Sequence, residues 1–326
     1  MERAVLGKTA LEVSRLGFGC GAVGGLMVRG DARDQLRAVE RALELGVNYF
    51  DTAPLYGNGE SEKNLGRVLT TLKAEVLVGT KVRLGTTDRS RIAQAIALSL
   101  EASLKRLGRE QVDLLQLHNA IEGELSAQQV LEEVLPAMER LRAQGKTRFC
   151  GITAVGEANA LHQVIDSGAI DTAQVVFNLL NPSAGRDLEI PSPARNYRNL
   201  LAHTSQSRVG AINIRVLAGG ALAATTQRHP LGSPAVEPIG TGADYAADVA
   251  QARRLMPLVE EGLVGSLIEA SIRLAVGQPR IAIILVGYST LEQLEYAAAC
   301  VAKGPLPQAA LDRLSALSGW PRASGL

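Results

Sequence analysis

Short apolar runs alternate along the chain with longer stretches in which apolar residues recur every three or four positions. Eight runs read as buried strands: Ser14–Cys20, Val47–Ala53, Glu75–Lys81, Val112–Asn119, Arg148–Thr153, Ala173–Asn178, Val209–Val216 and Ile281–Gly287. They are nearly continuous in apolar residues rather than alternating, the pattern of strands covered on both faces, as in a parallel sheet. The stretches between them have helical period. Leu36, Val39 and Leu43 share one face, with Gly46 as the stop. Leu65, Val68, Leu69 and Leu72 form a second face. A third helix is predicted from an N-cap at Asp88, with Ile92, Ile96, Leu100 and Leu104 inward and Gly108 at its end. Two more run from Ser126 to Gly145 and from Glu157 to Gly168.

Repeated strand–helix–glycine units imply right-handed crossovers between parallel strands. Eight such units close most naturally into an α/β fold of the (β/α)8 TIM-barrel type. The amino-terminal "RAVLGKTALEVS" reads as a β-hairpin turning at Gly7-Lys8 and closing the barrel floor. Residues 217–244 are rich in Gly, Ala, Pro and Thr and carry little periodicity, which predicts a long functional loop at the mouth. No linker divides the chain, so residues 1–326 read as a single barrel domain.

Composition narrows the function. A hydrophobic content of 46% supports a large core, while a net charge of +1, spread without runs of one sign, gives no footprint for nucleic acid. The N-terminus has no apolar signal-like region, and the longest apolar run, "IAIILV", is too short for a bilayer. No membrane partner is therefore expected. Cys20, Cys150 and Cys300 lie far apart without CxxC spacing, which argues against disulfides and zinc and for reduced thiols in a cytoplasmic protein. No metal site is expected, and oligomeric state leaves no mark in the pattern.

Active sites of such barrels gather at the carboxyl ends of the strands. There the second strand ends in Asp51, with Tyr56 on the loop "APLYGNG"; the third ends in Lys81 and the fourth in His118. Taken singly, Asp51 reads as a loop cap, Tyr56 as surface packing, Lys81 as a side chain reaching water, and His118 as a satisfied histidine near the core. Four such residues from adjacent strands on one rim make a stronger case. A phenol can give a proton to a carbonyl oxygen, but its free pKa of about 10 makes it a reluctant acid. A neighbouring ammonium favours the phenolate, a carboxylate fixes the ammonium, and a histidine orients the carbonyl. None of these supplies hydride, so a nicotinamide cofactor is required.

"FDTAPLYGNGESEKNLG", "GTK" and "LLQLH", in this order, resemble the signature of the aldo-keto reductases. The resemblance covers nearly the whole chain, through "LRAQGKTRFCGIT", "FNLLN" and "LVGYSTLEQLE". It implies a (β/α)8 barrel that binds NADP or NAD without a Rossmann domain. It also implies Tyr56 as general acid/base, Lys81 lowering its pKa, Asp51 pairing with Lys81, and His118 orienting an aldehyde, ketone or sugar. By the same resemblance Thr153 and Gln174 contact the carboxamide, Arg215 stacks on the nicotinamide, and Leu217 and Gly219 approach the pyrophosphate. Gly287, Ser289 and Gln293 belong to the cofactor-phosphate segment. Ala154 stands where the family commonly has an asparagine. No Lys or Arg occurs between Gly287 and Ala299, which leaves NAD open.

Other readings compete. "GCGAVG" (Gly19–Gly24) matches a dinucleotide fingerprint after a strand, but "GGLMVRGD" follows where a helix should open directly, so the glycines are expected to shape a loop lining the substrate pocket. Within the family the reaction could run as an aldose 1-dehydrogenase. A Schiff-base lyase using Lys81, or a cofactor-binding regulatory subunit, are the alternatives outside that activity. Substrate choice is expected to lie in loops 21–31, 179–197 and 217–244.

Overall fold

The computed structural model describes residues 1–123, 125–188 and 193–318, so residues 189–192 of the second of those loops lie outside the described residues. A hairpin of β1 (Arg3–Val5) and β2 (Glu12–Ser14) comes first, antiparallel and paired only to itself. Eight strands then form a closed parallel barrel: β3 (Leu16–Gly19), β4 (Tyr49–Asp51), β5 (Leu77–Val82), β6 (Val112–Leu117), β7 (Thr147–Ala154), β8 (Thr172–Val176), β9 (Gly210–Ile214) and β10 (Ile281–Gly287). Closure comes from β10 pairing with both β9 and β3. Each of the eight apolar runs overlaps one barrel strand, with β5, β7 and β8 reaching one residue beyond the predicted bounds.

Around the barrel lie α1 (Leu26–Arg29), α2 (Ala32–Glu44), α3 (Glu60–Leu72), α4 (Ile92–Leu107), α5 (Ala127–Gln129), α6 (Leu135–Ala143), α7 (Ala158–Asp166), α8 (Leu200–Gln206), α9 (Tyr245–Arg253), α10 (Pro257–Glu260), α11 (Leu267–Val276), α12 (Leu291–Ala302) and α13 (Gln308–Ser318). The periodic residues do the packing. Val39, Leu65, Val68, Leu69, Ile92, Ile96, Leu100 and Leu104 are all buried in one core between helices and barrel.

A second core fills the barrel floor. Tyr49, Leu114, Ile212 and Ile283 project inward and meet Leu6, Leu11 and Val13 of the hairpin segment. The hairpin therefore does close the floor. Its turn is longer than a two-residue turn at Gly7-Lys8: a 3-10 turn spans Gly7–Thr9, because Leu6 and Leu11 must both reach the barrel axis. Gly7 has φ +54°, and a Cβ there would lie 2.3 Å from the Gly210 nitrogen, so the plug seats only with glycine.

Three local expectations differ from the structure. Asp88 does not cap α4; its carboxylate accepts from the Gly85 N–H (2.8 Å) in a 3-10 turn over Thr86–Arg91, and α4 starts at Ile92. The predicted helix from Ser126 is interrupted by a π turn at Val130–Val134. That widened turn falls just before Pro136, which has no N–H to give and clashes with the carbonyl four residues back in an α-helix. The segment after the glycine-rich loop holds a one-turn helix, α1, whose Leu26 and Met27 are buried. Among the described residues no helix is long and apolar enough to cross a membrane, the three cysteines are buried free thiols, and no cluster could hold a metal ion.

Candidate active site

Strand alternation sets the site. In β4 and β5, Tyr49, Asp51, Gly79 and Lys81 share the inward face, and the parallel register aligns Asp51 with Gly79 and Lys81 with Gln116 of β6. Asp51 and Lys81 form an ion pair, with side chains 3% and 1% exposed. The Lys81 ammonium also donates to the Thr52 carbonyl (2.9 Å) and lies 4.8 Å from the centre of the Tyr56 ring. The Tyr56 ring meets His118 edge-on, with centroids 5.8 Å apart. The structure thus brings together all four residues predicted to carry the chemistry.

Tyr56 is held from behind. Gly57, Asn58 and Gly59 all have positive φ and turn the chain directly into α3. Ser61, fully buried at the start of that helix, donates to the Cys20 carbonyl and shares a hydrogen bond with Thr52, both at 2.8 Å. Glu62 is buried beside it, accepting from Thr80 Oγ1 and Arg106 Nε at 2.6 Å each. These two polar residues brace the loop against three barrel strands and a neighbouring helix.

The electrostatics follow from burial. Burial alone would lower the Lys81 pKa, but Asp51 and Tyr56 outweigh it and the net shift is upward, so Lys81 stays an ammonium. Burial raises the Tyr56 pKa; Lys81 pulls it down, Asp51 pushes it up, and the net direction is up. The expected lowering by Lys81 is therefore present as one contribution and is exceeded by burial. Tyr56 is a protonated phenol near neutral pH, which is the form a proton donor needs. Burial, with Lys81 and Arg83 nearby, pushes His118 down to about 3, so its imidazole is neutral. Its Nδ1 is buried with no partner among the described residues. The tautomer protonated on Nε2 matches that unpaired nitrogen and leaves Nε2 as a donor.

Two residues carry Asp51 further. Tyr49 Oη donates to Asp51 Oδ2 (3.0 Å) by passing over Gly79, where a Cβ would sit 2.3 Å from that hydroxyl. Gln174 Nε2 donates to the same oxygen (2.7 Å), and Thr153 Oγ1 donates to Gln174 Oε1 (3.3 Å). Thr153 and Gln174 were expected at the carboxamide of a cofactor; here they extend the Asp51 network within the barrel. Tyr49 was missed because an aromatic in an apolar strand looks like core, which its ring is.

The remaining predicted positions line one cavity of about 310 Å³ beside this network: Arg215, Leu217, Gly219, Gly287, Ser289 and Gln293, with Val23 and Gly24 of the glycine-rich loop. A Cβ on Gly24 would lie 2.5 Å from the Tyr288 nitrogen, and one on Gly21 would touch the Tyr56 ring at 3.7 Å. That loop runs from the catalytic phenol to the Gly287 end of the cavity, and the strand before it belongs to a closed barrel, which removes the Rossmann reading. Residues 217–244 fold over the cavity and fasten to the same loop. Ser233 Oγ donates to Ala22 O (2.8 Å), Arg29 Nε to Leu231 O (2.7 Å), and Arg228 Nη2 to Val23 O (3.5 Å), while Arg228 Nη1 ties the segment to itself at Gly219 O (3.0 Å).

The structure is thus a closed (β/α)8 barrel with a buried Asp–Lys pair, a phenol and a neutral imidazole gathered at its carboxyl mouth. The aldo/keto reductase family model matches residues 15–318, and the chain belongs to that family. It is similar to L-galactose dehydrogenase of Arabidopsis thaliana, 28% identical over 304 residues, covering 92% of this chain and 88% of that protein. It is also similar to D-threo-aldose 1-dehydrogenase of Pseudomonas sp, 31% identical over 220 residues, covering 59% of this chain and 65% of the relative. In fold it matches the aldo-keto reductase AKR11C1 of Bacillus halodurans in its holo form, with a TM-score of 0.73, 23% identity and 99% and 98% of the two chains covered. The protein is an oxidoreductase enzyme of this family.

Proposed function

We propose that this enzyme interconverts an aldehyde, ketone or sugar with its alcohol using NAD(P), with Tyr56 as the general acid/base. The observation that carries the reading is the contact set of Tyr56, which touches the Lys81 ammonium on one side and the neutral His118 ring on the other. In the reducing direction Tyr56 Oη gives its proton to the carbonyl oxygen as hydride arrives at carbon. The Lys81 ammonium stabilises the phenolate that results, and Asp51 holds Lys81 in place. His118 Nε2 donates a hydrogen bond to the carbonyl oxygen and orients it without competing as an acid. Alcohol oxidation uses the same groups in reverse. The cofactor supplies or accepts the hydride. A Schiff-base role for Lys81 is disfavoured, since its nitrogen is an ion-paired ammonium with an upward pKa shift.

The cavity residues fit a nicotinamide dinucleotide. Gly219 and Gly220 at positive φ open backbone space after Leu217, and the Gly287–Gln293 segment leads into the amino end of α12. That helix end supports NAD over NADP. Its donors are used internally: the Ser289 N–H gives to Gln293 Oε1 (2.8 Å) and the Gln293 N–H to Thr290 Oγ1 (3.4 Å). Glu292 places a carboxylate in the first turn, its pKa held down by a backbone hydrogen bond at the helix end and by Thr290. A 2′-phosphate would meet neutral groups already paired and one negative charge.

The test is Tyr56→Phe. Turnover of carbonyls with NADH should fall by about a hundred- to ten-thousand-fold, while NADH still quenches protein fluorescence with unchanged affinity. Retained turnover would sink the role of Tyr56, and stronger turnover with NADPH than NADH at low cofactor concentration would sink the preference for NAD.

A further inference from the structure

Arg215 closes β9 at the rim between the catalytic cluster and the cavity, and its surroundings are unusual for a structural arginine. Its backbone has φ +54°, a conformation rarely adopted by residues with a Cβ. The fully buried Asn178 holds that conformation by donating to the Arg215 carbonyl (2.8 Å) while its own Oδ1 accepts from the Leu180 and Asn181 N–H groups. The guanidinium is half-buried beside Gly219, and among the described residues it makes one hydrogen bond, a long one to the Glu237 carbonyl (3.3 Å).

Among the described residues no carboxylate forms an ion pair with this guanidinium. Asp248, a carboxylate that acts on Arg215 through space, has its oxygens engaged by Thr241 Oγ1 and the Gly242 N–H, and makes no ion pair with Arg215 among the described residues. Of the two arginines lining the cavity, Arg228 gives its donors to the carbonyls of Ser233 and Gly219. Arg215 retains donors to give. It also acts electrostatically on Tyr56. A half-buried guanidinium without a counterion is a poor stabilising device and a good receptor for an anion in a forked, two-point contact.

We propose that Arg215 is a specificity-determining residue that pairs with a carboxylate on the substrate, making acidic carbonyl compounds the favoured class. This rests on the carbonyl-oxidoreductase reading of the Tyr56 site. An anion could also come from the cofactor's phosphates, expected at Leu217–Gly219 beside the same guanidinium, and the NADH titration in the variants separates that source from a substrate carboxylate.

Two matched pairs test it, with NADH as donor: pyruvate against butanedione, and succinic semialdehyde against pentanal. The wild-type enzyme should favour at least one acid over its neutral partner in kcat/KM by about tenfold or more at low ionic strength. In Arg215→Met and Arg215→Gln that ratio should collapse towards one, Arg215→Lys should restore part of it, and NADH affinity by fluorescence titration should hold in all three. Turnover by the wild type without preference for either acid overturns the inference alone. So does an equal fall for acid and neutral partner in the variants, or a loss of NADH affinity, which would assign Arg215 to the cofactor phosphates. No turnover of any compound would sink the oxidoreductase reading and this inference with it.

Discussion

The two sides of the barrel mouth are built from different materials. On the β4–β6 side, the candidate site is made of side chains: Asp51, Lys81, Tyr56 and His118 make a cluster in which the charged pair is buried and matched. On the β9–β10 side it resides in backbone: Leu217, Gly219, Gly287 and a helix amino end line a cavity closed over by a loop fastened through carbonyls. A cluster of paired charges keeps its geometry without a ligand, because breaking any pair strands a charge in low dielectric. A backbone-lined cavity instead offers shape and a few amides, and its lining includes the side chains of Gln293 and Arg215, to which the proposals above assign its selectivity.

Breaking the first side should have the largest effect. Lys81→Met should cut turnover about a hundredfold or more by leaving the burial-raised phenol without its cation, and should lower stability by about 3–5 kcal/mol by stranding Asp51. Adding Asp51→Asn should return much of the stability in a denaturant titration and none of the turnover, which separates the pair's catalytic contribution from its structural one. Next, Gly79→Ala should cost about 1–3 kcal/mol through collision with the Tyr49 hydroxyl, and Tyr49→Phe in the same chain should relieve it. A Gly79→Ala protein of wild-type thermal stability would refute that close approach.

The second side should yield smaller changes, in preference rather than in rate. Gln293→Arg should raise kcat/KM for NADPH relative to NADH by about tenfold, with Tyr56-dependent chemistry unaltered. An unchanged ratio would place the 2′ end of the cofactor elsewhere. The smallest effect concerns pH. His118 is held down to about 3 in the folded protein against an ordinary 6.5, so the unfolded chain binds the extra proton between those values. Its contribution to stability is full above about pH 6.5 and declines as pH falls towards 3. His118→Gln should therefore flatten the dependence of the denaturant midpoint on pH across that window, and an undiminished slope would show that other groups cause it.

Much of the fold and of the candidate site was legible from local pattern, for a physical reason. Strands covered on both faces must be apolar throughout, helices on a barrel must be apolar on one face, and an active-site side chain ending a strand interrupts that pattern visibly. Asp51, Lys81 and His118 each stand as a polar residue closing an apolar run. The supports of the cluster lacked such a signal. Tyr49 sits among apolar residues, Ser61 and Glu62 look like an ordinary helix start, and Gln174 looks like an isolated strand polar group; their roles come from partners 2 to 123 positions away. Asp88 misled because a carboxylate before an apolar helical stretch can cap either the helix or the turn ahead of it.

The sequence by itself determined the strand count, the helix faces, the floor-closing hairpin and the order of the four chemical groups, because each depends on periodicity or on residue type at a strand end. Only the tertiary structure decided what each charge feels. That Lys81 is paired with Asp51, that Tyr56 keeps its proton, that His118 is neutral and that Arg215 forms no ion pair among the described residues all depend on burial and on distances between distant parts of the chain. Charge interactions are set by those distances and by the local exclusion of water, and neither quantity is written in neighbouring residues.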